Sequence, residues 1–142
     1  MPNKINVKRA SDKVDLENVF AIRRNVFVDE QACPPQLEWE FEDESIHFLG
    51  TVNGYPAGAS RWRQTDKGYK LERFAVLKEY RNLGLGQALV SAVLNDLPAE
   101  ATYIYLHAQI AAIGLYEKFG FERVGERFEE AGIQHYKMVL KV

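Results

Sequence analysis

The chain is poor in cysteine and in long apolar runs. It carries one cysteine and two methionines among 142 residues. Cys33 alone cannot close an internal disulfide, which suits a reducing compartment. No His or Lys flanks it, so beside Pro34-Pro35 it reads as a small apolar loop residue rather than an activated nucleophile. No apolar stretch approaches the roughly 20 residues that span a bilayer. The opening MPNKINVKRA has no apolar signal core. These absences lead us to expect a cytoplasmic protein with no membrane partner. A basic excess is missing too: 18 Lys and Arg stand against 20 Asp and Glu, for a net charge of −2. That argues against nucleic acid as a partner. The histidines, the cysteine and the carboxylates show no ligand spacing, so no metal is expected. Repeats, low-complexity tracts and Gly/Ser linkers are absent, and the length favours a single domain over residues 1–142.

What is present is an ordinary globular composition, 46% hydrophobic and 12% aromatic. Ile5 and Val7 alternate with polar neighbours as a short strand. Ser11 or Asp12 can cap a helix carrying Leu16, Val19, Phe20 and Phe27, which should end around Val28–Gln31. Residues 46–52 (IHFLGTV) read as a strand, and Asn53-Gly54 is a hairpin signal because both central residues need positive φ. AGASRWRQ follows as a second strand. Asp66-Lys67-Gly68 then turns into a third, YKLERFAVL, so the middle of the chain is an antiparallel meander. Leu85, Leu89, Ala92, Val93 and Asp96 trace a helix face that Pro98 closes. TYIYLHA (102–108) is a strand, residues 111–119 are a helix stopped by Gly120, and residues 121–127 and 135–141 are two closing strands. The order β-α-β-β-β-α-β-α-β-β describes an α/β (α+β) fold. Its sheet is mixed and mostly antiparallel, flanked by helices, with one parallel pair formed by the third meander strand and 102–108.

RNLGLGQALV (81–90) joins a strand to a helix. The first N–H groups of a helix lack internal partners and lie at its electropositive end, so an anion sits well there. Gly84 and Gly86 remove side chains that would hold a phosphate at a distance, and Arg81 can add a charge-assisted bond. The same glycines can also serve only as a tight turn. Gln87-Ala88 follows Gly86 where a nucleoside triphosphate loop needs Lys-Ser/Thr. Leu89 stands where a dinucleotide fingerprint needs a small residue, and the preceding strands are a meander. Coenzyme A pyrophosphate is the third class of guest.

LERFAVLKEYRNLGLGQALV (71–90) resembles the acetyl-CoA signature of the GNAT superfamily of N-acetyltransferases, with the turn Arg81-Asn82-Leu83-Gly84-Leu85-Gly86. AQIAAIGLYEKFGF (108–121) resembles that family's segment with a tyrosine before a Gly-Phe ending. VFVDEQ (26–31) and EEAGIQHYKM (129–138) are similar to a small bacterial branch called ElaA-like or YjcF-like. The resemblance covers essentially the whole chain. It implies the acyl-CoA N-acyltransferase fold, acetyl-CoA as donor and an amine, on a small molecule or a peptide, as acceptor. It also implies where the donor lies. Backbone groups of Phe74, Ala75 and Val76 pair with the pantetheine arm, N–H groups from Leu83 to Gln87 hold the pyrophosphate, and Gln109 stands where many relatives have Asn.

Acetyl transfer to an amine needs a base, an oxyanion donor and an acid for the leaving thiolate. The resemblance implies Tyr116 as the acid; on pattern alone it is equally a core aromatic. Glu72 is the first candidate base and equally readable as an internal ion pair with Arg73. His135 is the second candidate base. His107 reads as a sheet histidine, and His47 is assigned no role. A backbone N–H near Phe74–Val76 is expected to hold the oxyanion. The acidic run Glu38, Glu40, Glu42, Asp43 and Glu44, interleaved with Trp39 and Phe41, reads as a solvated face or as the lip of a cationic acceptor's cleft. Arg61 and Arg63, beside Trp62, point instead to an anionic acceptor. A non-catalytic acyl-CoA-binding sensor is the alternative function, and an edge strand offers a pairing surface for a homodimer.

Overall fold

A computed structural model describes residues 3–33 and 44–140. Pro34-Pro35 and the run from Glu38 to Asp43, with Trp39 and Phe41, lie outside the described residues.

Seven strands form one sheet in the order β1-β2-β3-β4-β5-β7-β6. Their ranges are β1 Ile5–Ala10, β2 Ser45–Val52, β3 Tyr55–Gln64, β4 Tyr69–Val76, β5 Ile104–Gln109, β6 Phe121–Glu130 and β7 Ile133–Leu140. Every neighbouring pair is antiparallel except β4 with β5. The mixed sheet with a single parallel pair is therefore the one the element order predicts.

Helix α1 (Lys13–Arg23) begins at Asp12, whose side chain accepts the Asp15 N–H at 2.8 Å. Of the two expected caps, Asp12 does the work. The helix does not stop at Arg23. It widens into a seven-residue π-helical segment, Arg24–Glu30, closed by the Gln31 N–H donating to the Val26 carbonyl five residues back. Val19, Ile22 and Val26 pack this unit onto Leu49, Ala59 and Ala75 on one face of the sheet.

Helix α2 (Leu85–Asp96) lies on the opposite face, where Leu85 and Leu89 meet Val52 and Ala57, and Val90 and Val93 meet Phe48 and Leu106. Its close approach requires Gly58. A Cβ there would stand 2.9 Å from Leu85 Cδ2 and 3.0 Å from the Ala75 carbonyl, and the backbone oxygen cannot yield as a side chain can.

Three boundaries differ from the expected ones. Residues 111–119 form a 3-10 turn, Ile110–Ala112, and then a short helix α3, Ile113–Glu117. The strand expected at 102–108 runs instead from Ile104 to Gln109. The closing strands, expected at 121–127 and 135–141, reach each other as one long hairpin. Ala131 and Gly132 take φ of 52° and 80°, which turns the chain in two residues.

The joint between β4 and β5 positions the site. They pair only over Tyr69–Leu71 and Ile104–Leu106. On its other side, β4 matches Glu72 to Arg61 and Ala75 to Ala59, so Arg73 and Phe74 together face Ser60. This bulge, with Arg73 at φ 59°, bends β4 away from β5. The two strands part, and a cleft opens in the middle of the sheet.

Candidate functional site

The cleft is a cavity of about 130 Å³ whose walls include Phe27, Gln31, Phe74, Gln109, Tyr116 and His135, with Glu72, His107 and Glu130 at its polar end. The fold thus brings Tyr116, Glu72, His135, Gln109 and Phe74 together from three strands and a helix. The glycine turn lies beyond the far end of β4, outside this wall.

At that turn Gly84 is the N-cap of α2 with φ 94°, a left-handed conformation that a Cβ disfavours. No side chain caps this helix. The N–H groups of Leu85, Gly86 and Gln87 are thus left without intrahelical acceptors, at the positive end of the dipole. A Cβ at Gly86 would meet only Leu115, at an ordinary 3.5 Å, so protein packing does not demand glycine there. Asn82, Leu83 and Gly84 are exposed, whereas the Leu85 side chain is core.

Arg81 departs from expectation. Its Nε donates to the Val76 carbonyl at 2.9 Å, and Nη1 and Nη2 form a bidentate pair with Glu30 at 2.8 and 2.7 Å. All three nitrogens are engaged within the protein. Arg81 is a strut tying the end of the π-helical segment to the end of β4 and to the turn, not a side chain poised for phosphate. The pairing also occupies the Val76 carbonyl, one of the groups expected to face a pantetheine arm. Ala75 directs its side chain into the α1 core. Phe74 lies beside Tyr116, with ring centroids 5.6 Å apart.

Tyr116 is 6% exposed, set between the rings of Phe74 and Phe121. Burial pushes its phenol well above the usual value, so it stays protonated at any neutral pH. Its hydroxyl makes no hydrogen bond among the described residues. Gln109 spans the cleft instead of standing free: its Nε2 donates to Gln31 Oε1 at 3.0 Å, linking β5 to the end of the π-helical segment.

Glu72 is held mainly across the sheet, with its sequence neighbour Arg73 adding charge attraction. Its Oε1 accepts from Arg61 Nε and Nη2 at 3.0 and 2.7 Å and from Arg63 Nε at 2.6 Å, and Lys70 Nζ stands 3.3 Å from Oε2. Burial alone would raise this carboxyl. Arg61, Lys70, Arg73 and Arg63 outweigh it and hold Glu72 at about 2. A carboxylate so stabilised is a poor proton acceptor. The same contacts spend the charge of Arg61 and Arg63 on the protein, which weakens the anionic-acceptor reading.

His135 is better placed. Its Nδ1 lies 2.7 Å from the Ile133 carbonyl, which can only accept, so Nδ1 carries the proton and Nε2 of the neutral ring keeps its lone pair. The ring stacks on Phe128, centroids 5.8 Å apart. Nε2 is 3.9 Å from Glu130 Oε2, and the other oxygen of Glu130 is 3.4 Å from His107 Nδ1. The contact with His107, against a smaller opposing effect of burial, keeps the Glu130 carboxyl below its usual value. Sequence reading left Glu130 and Gln31 out of the site. Glu130 precedes the two-residue turn and His135 is third after it, a spacing that puts both at the mouth of one hairpin; only the cross-strand register reveals it. His47 lies elsewhere, against Phe20 in a hollow between α1 and β2.

Residues 10–142 match the Acetyltransferase (GNAT) domain. The chain is 38% identical over 134 residues to YjcF, an uncharacterized N-acetyltransferase of Bacillus subtilis, covering 92% of this chain and 95% of YjcF. The crystal structure of Escherichia coli ElaA superposes with a TM-score of 0.81 at 27% identity, over 97% of this chain and all (100%) of that one. An acyl-CoA N-acyltransferase from Pseudomonas aeruginosa gives the same TM-score, 0.81, at 25% identity, covering 97% and 99% of the two chains. Acetyl-CoA is the donor of the GNAT family, and the uncapped helix after the glycine turn offers N–H groups suited to an anion. With its parted β4 and β5 and that turn in place, the chain belongs to the GNAT family of acetyltransferases.

Proposed function

We propose that this protein transfers the acetyl group of acetyl-CoA to an amine by direct attack within a ternary complex. The observation that carries the reading is the position of Tyr116, packed between Phe74 and Phe121 in the cleft where β4 and β5 part, with no hydrogen bond to its hydroxyl among the described residues. A pantetheine arm along the free edge of β4 at Phe74–Val76, with its pyrophosphate on the amides from Leu83 to Gln87, brings the thioester to that hydroxyl.

The amine first loses a proton, since an ammonium with a pKa near ~10.4 is no nucleophile. His135 Nε2 is the base; Glu72, neutralised by its cations, is not. The amine nitrogen then attacks the thioester carbon, and a backbone N–H near Phe74–Val76 takes the oxyanion. As the attacking nitrogen gives up its second proton to solvent, collapse breaks the C–S bond, and the leaving thiolate takes its proton from Tyr116. The dry surroundings that keep the phenol protonated raise the thiolate's basicity as well. The phenol is reprotonated from solvent, leaving an amide and free CoA.

Release of CoA thiol is measured against a panel of primary amines and peptides. The Tyr116→Phe variant should lose about 10²-fold or more in kcat, with acetyl-CoA affinity by calorimetry unchanged. Unaltered turnover removes Tyr116 from the chemistry. Tight acetyl-CoA binding with no turnover on any amine would instead mark a non-catalytic acyl-CoA sensor.

A further inference from the structure

His135 Nε2 and Glu130 Oε2 face each other at 3.9 Å at the polar end of the cleft. With Nδ1 donating to Ile133, the neutral His135 offers only an acceptor at Nε2. Glu130 offers another, its far oxygen already turned to His107. Two acceptors stand opposite one another with no proton between them, and the separation is too long for a direct hydrogen bond.

We propose that this gap is the seat of the acceptor's ammonium group. A tetrahedral N–H donor placed about 2.8 Å from each acceptor spans it with ordinary hydrogen-bond geometry, and an ammonium supplies the two donors needed and the charge Glu130 prefers. The inference rests on the transferase reading above and names what that reading leaves open. The acceptor is a protonated primary amine, held by Glu130 and unloaded by His135. The ammonium gives its proton to Nε2, the amine nitrogen gains a lone pair, and the resulting imidazolium pairs with Glu130 until it releases the proton to solvent. Glu130 is a binding residue for the amine, and His107 positions its carboxylate from β5.

The groups facing this point are Glu130 from β6, His107 from β5, and Lys70, Glu72 and Arg73 from β4. Glu72 is tied to its cations, so Glu130 is the carboxylate left to meet the ammonium.

The Glu130→Gln variant tests this. With benzylamine, spermidine and L-lysine as probes, KM for the accepted amine should rise on the order of tenfold, with acetyl-CoA affinity unchanged. An independent reading needs no turnover. In protein labelled with ¹⁵N-histidine, which holds three histidines, adding the amine at fixed neutral pH should shift the His135 imidazole signals of the wild type and, at the same concentration, leave those of the variant in place, while His47 stays put in both. The unmoved His47 signal also reports that the variant is folded. No His135 shift in the wild type with any probe, or equal shifts in both proteins, overturns the proposal even if no probe is turned over, an outcome that would count separately against the transferase reading. An unchanged KM in the variant likewise overturns the seat.

Discussion

Replacing Glu72 by Gln removes one carboxylate from a cage of cations. A carboxyl held at about 2 rather than 4.5 corresponds to about 3 kcal/mol of folding stability at neutral pH. The group's folded value is depressed, so this contribution is complete above pH ~4.5 and is lost as pH falls through ~2. The two partners point in opposite directions here. Burial pushes the Arg61 guanidinium down, against the pull of Glu72, which taken alone would make the pair unfavourable. Arg61 stays charged across every accessible pH, so Glu72 is the partner whose titration stability follows. A second route gives a similar size. Arg61 is fully buried, and breaking a buried pair from one side costs about 3–5 kcal/mol because the surviving charge is left behind. Glu72→Gln should therefore lower the midpoint of thermal unfolding by roughly 10 °C at neutral pH. It should also flatten the stability profile between pH ~4.5 and ~2. Urea unfolding followed by circular dichroism across that range is the assay. A variant within about 1 kcal/mol of wild type, with the same acid slope, would refute the cage as a source of stability. Residual acetyl transfer by the folded variant bears on the chemistry too, since Gln cannot act as a base: activity near wild type is the outcome expected if His135 does that work.

Two further substitutions probe the donor side. Arg81→Met should weaken acetyl-CoA binding by less than tenfold in calorimetry, because its guanidinium is engaged by Glu30 and Val76 rather than by a phosphate. A larger loss, the size of a direct charge-assisted contact of about 1.5–3 kcal/mol, would make it a phosphate ligand after all. Gly58→Ala should cost about 1–3 kcal/mol in urea unfolding, since the added methyl meets the Ala75 carbonyl and forces α2 off the sheet. A neutral substitution would show that the helix has room to move.

What could be read from the chain in advance was local or periodic. Asn53-Gly54 marks its hairpin because two consecutive positive φ values narrow the choice of residues, and both are observed. Gly84 marks the helix start for a related reason. Strand-helix-strand order is enough to make β4 and β5 parallel. What escaped was set by register between distant strands. Glu72 reads as the partner of Arg73 beside it, but Arg61 faces it from β3, eleven positions away. Arg81 reads as a free cation, whereas its carboxylate is fifty-one positions back. The π-helical widening after Arg23 has no distinct residue period, so the segment reads as ordinary helix. Glu130 looks like one acid in an acidic stretch until β7 slots between β5 and β6 and sets His107 and His135 around it.

That insertion of β7 has a consequence for how such a protein can change. Phe128, Glu130 and His135 all come from one hairpin, held to the rest of the sheet by β7 on β5. The glycine turn, the parted edge of β4 and Tyr116 come from a separate stretch of chain. On the function proposed above, the amine side is then a cassette. Its loop and tips can be exchanged in the laboratory without touching the proposed donor side, and new recipients of the acetyl group can arise by changes confined to this hairpin.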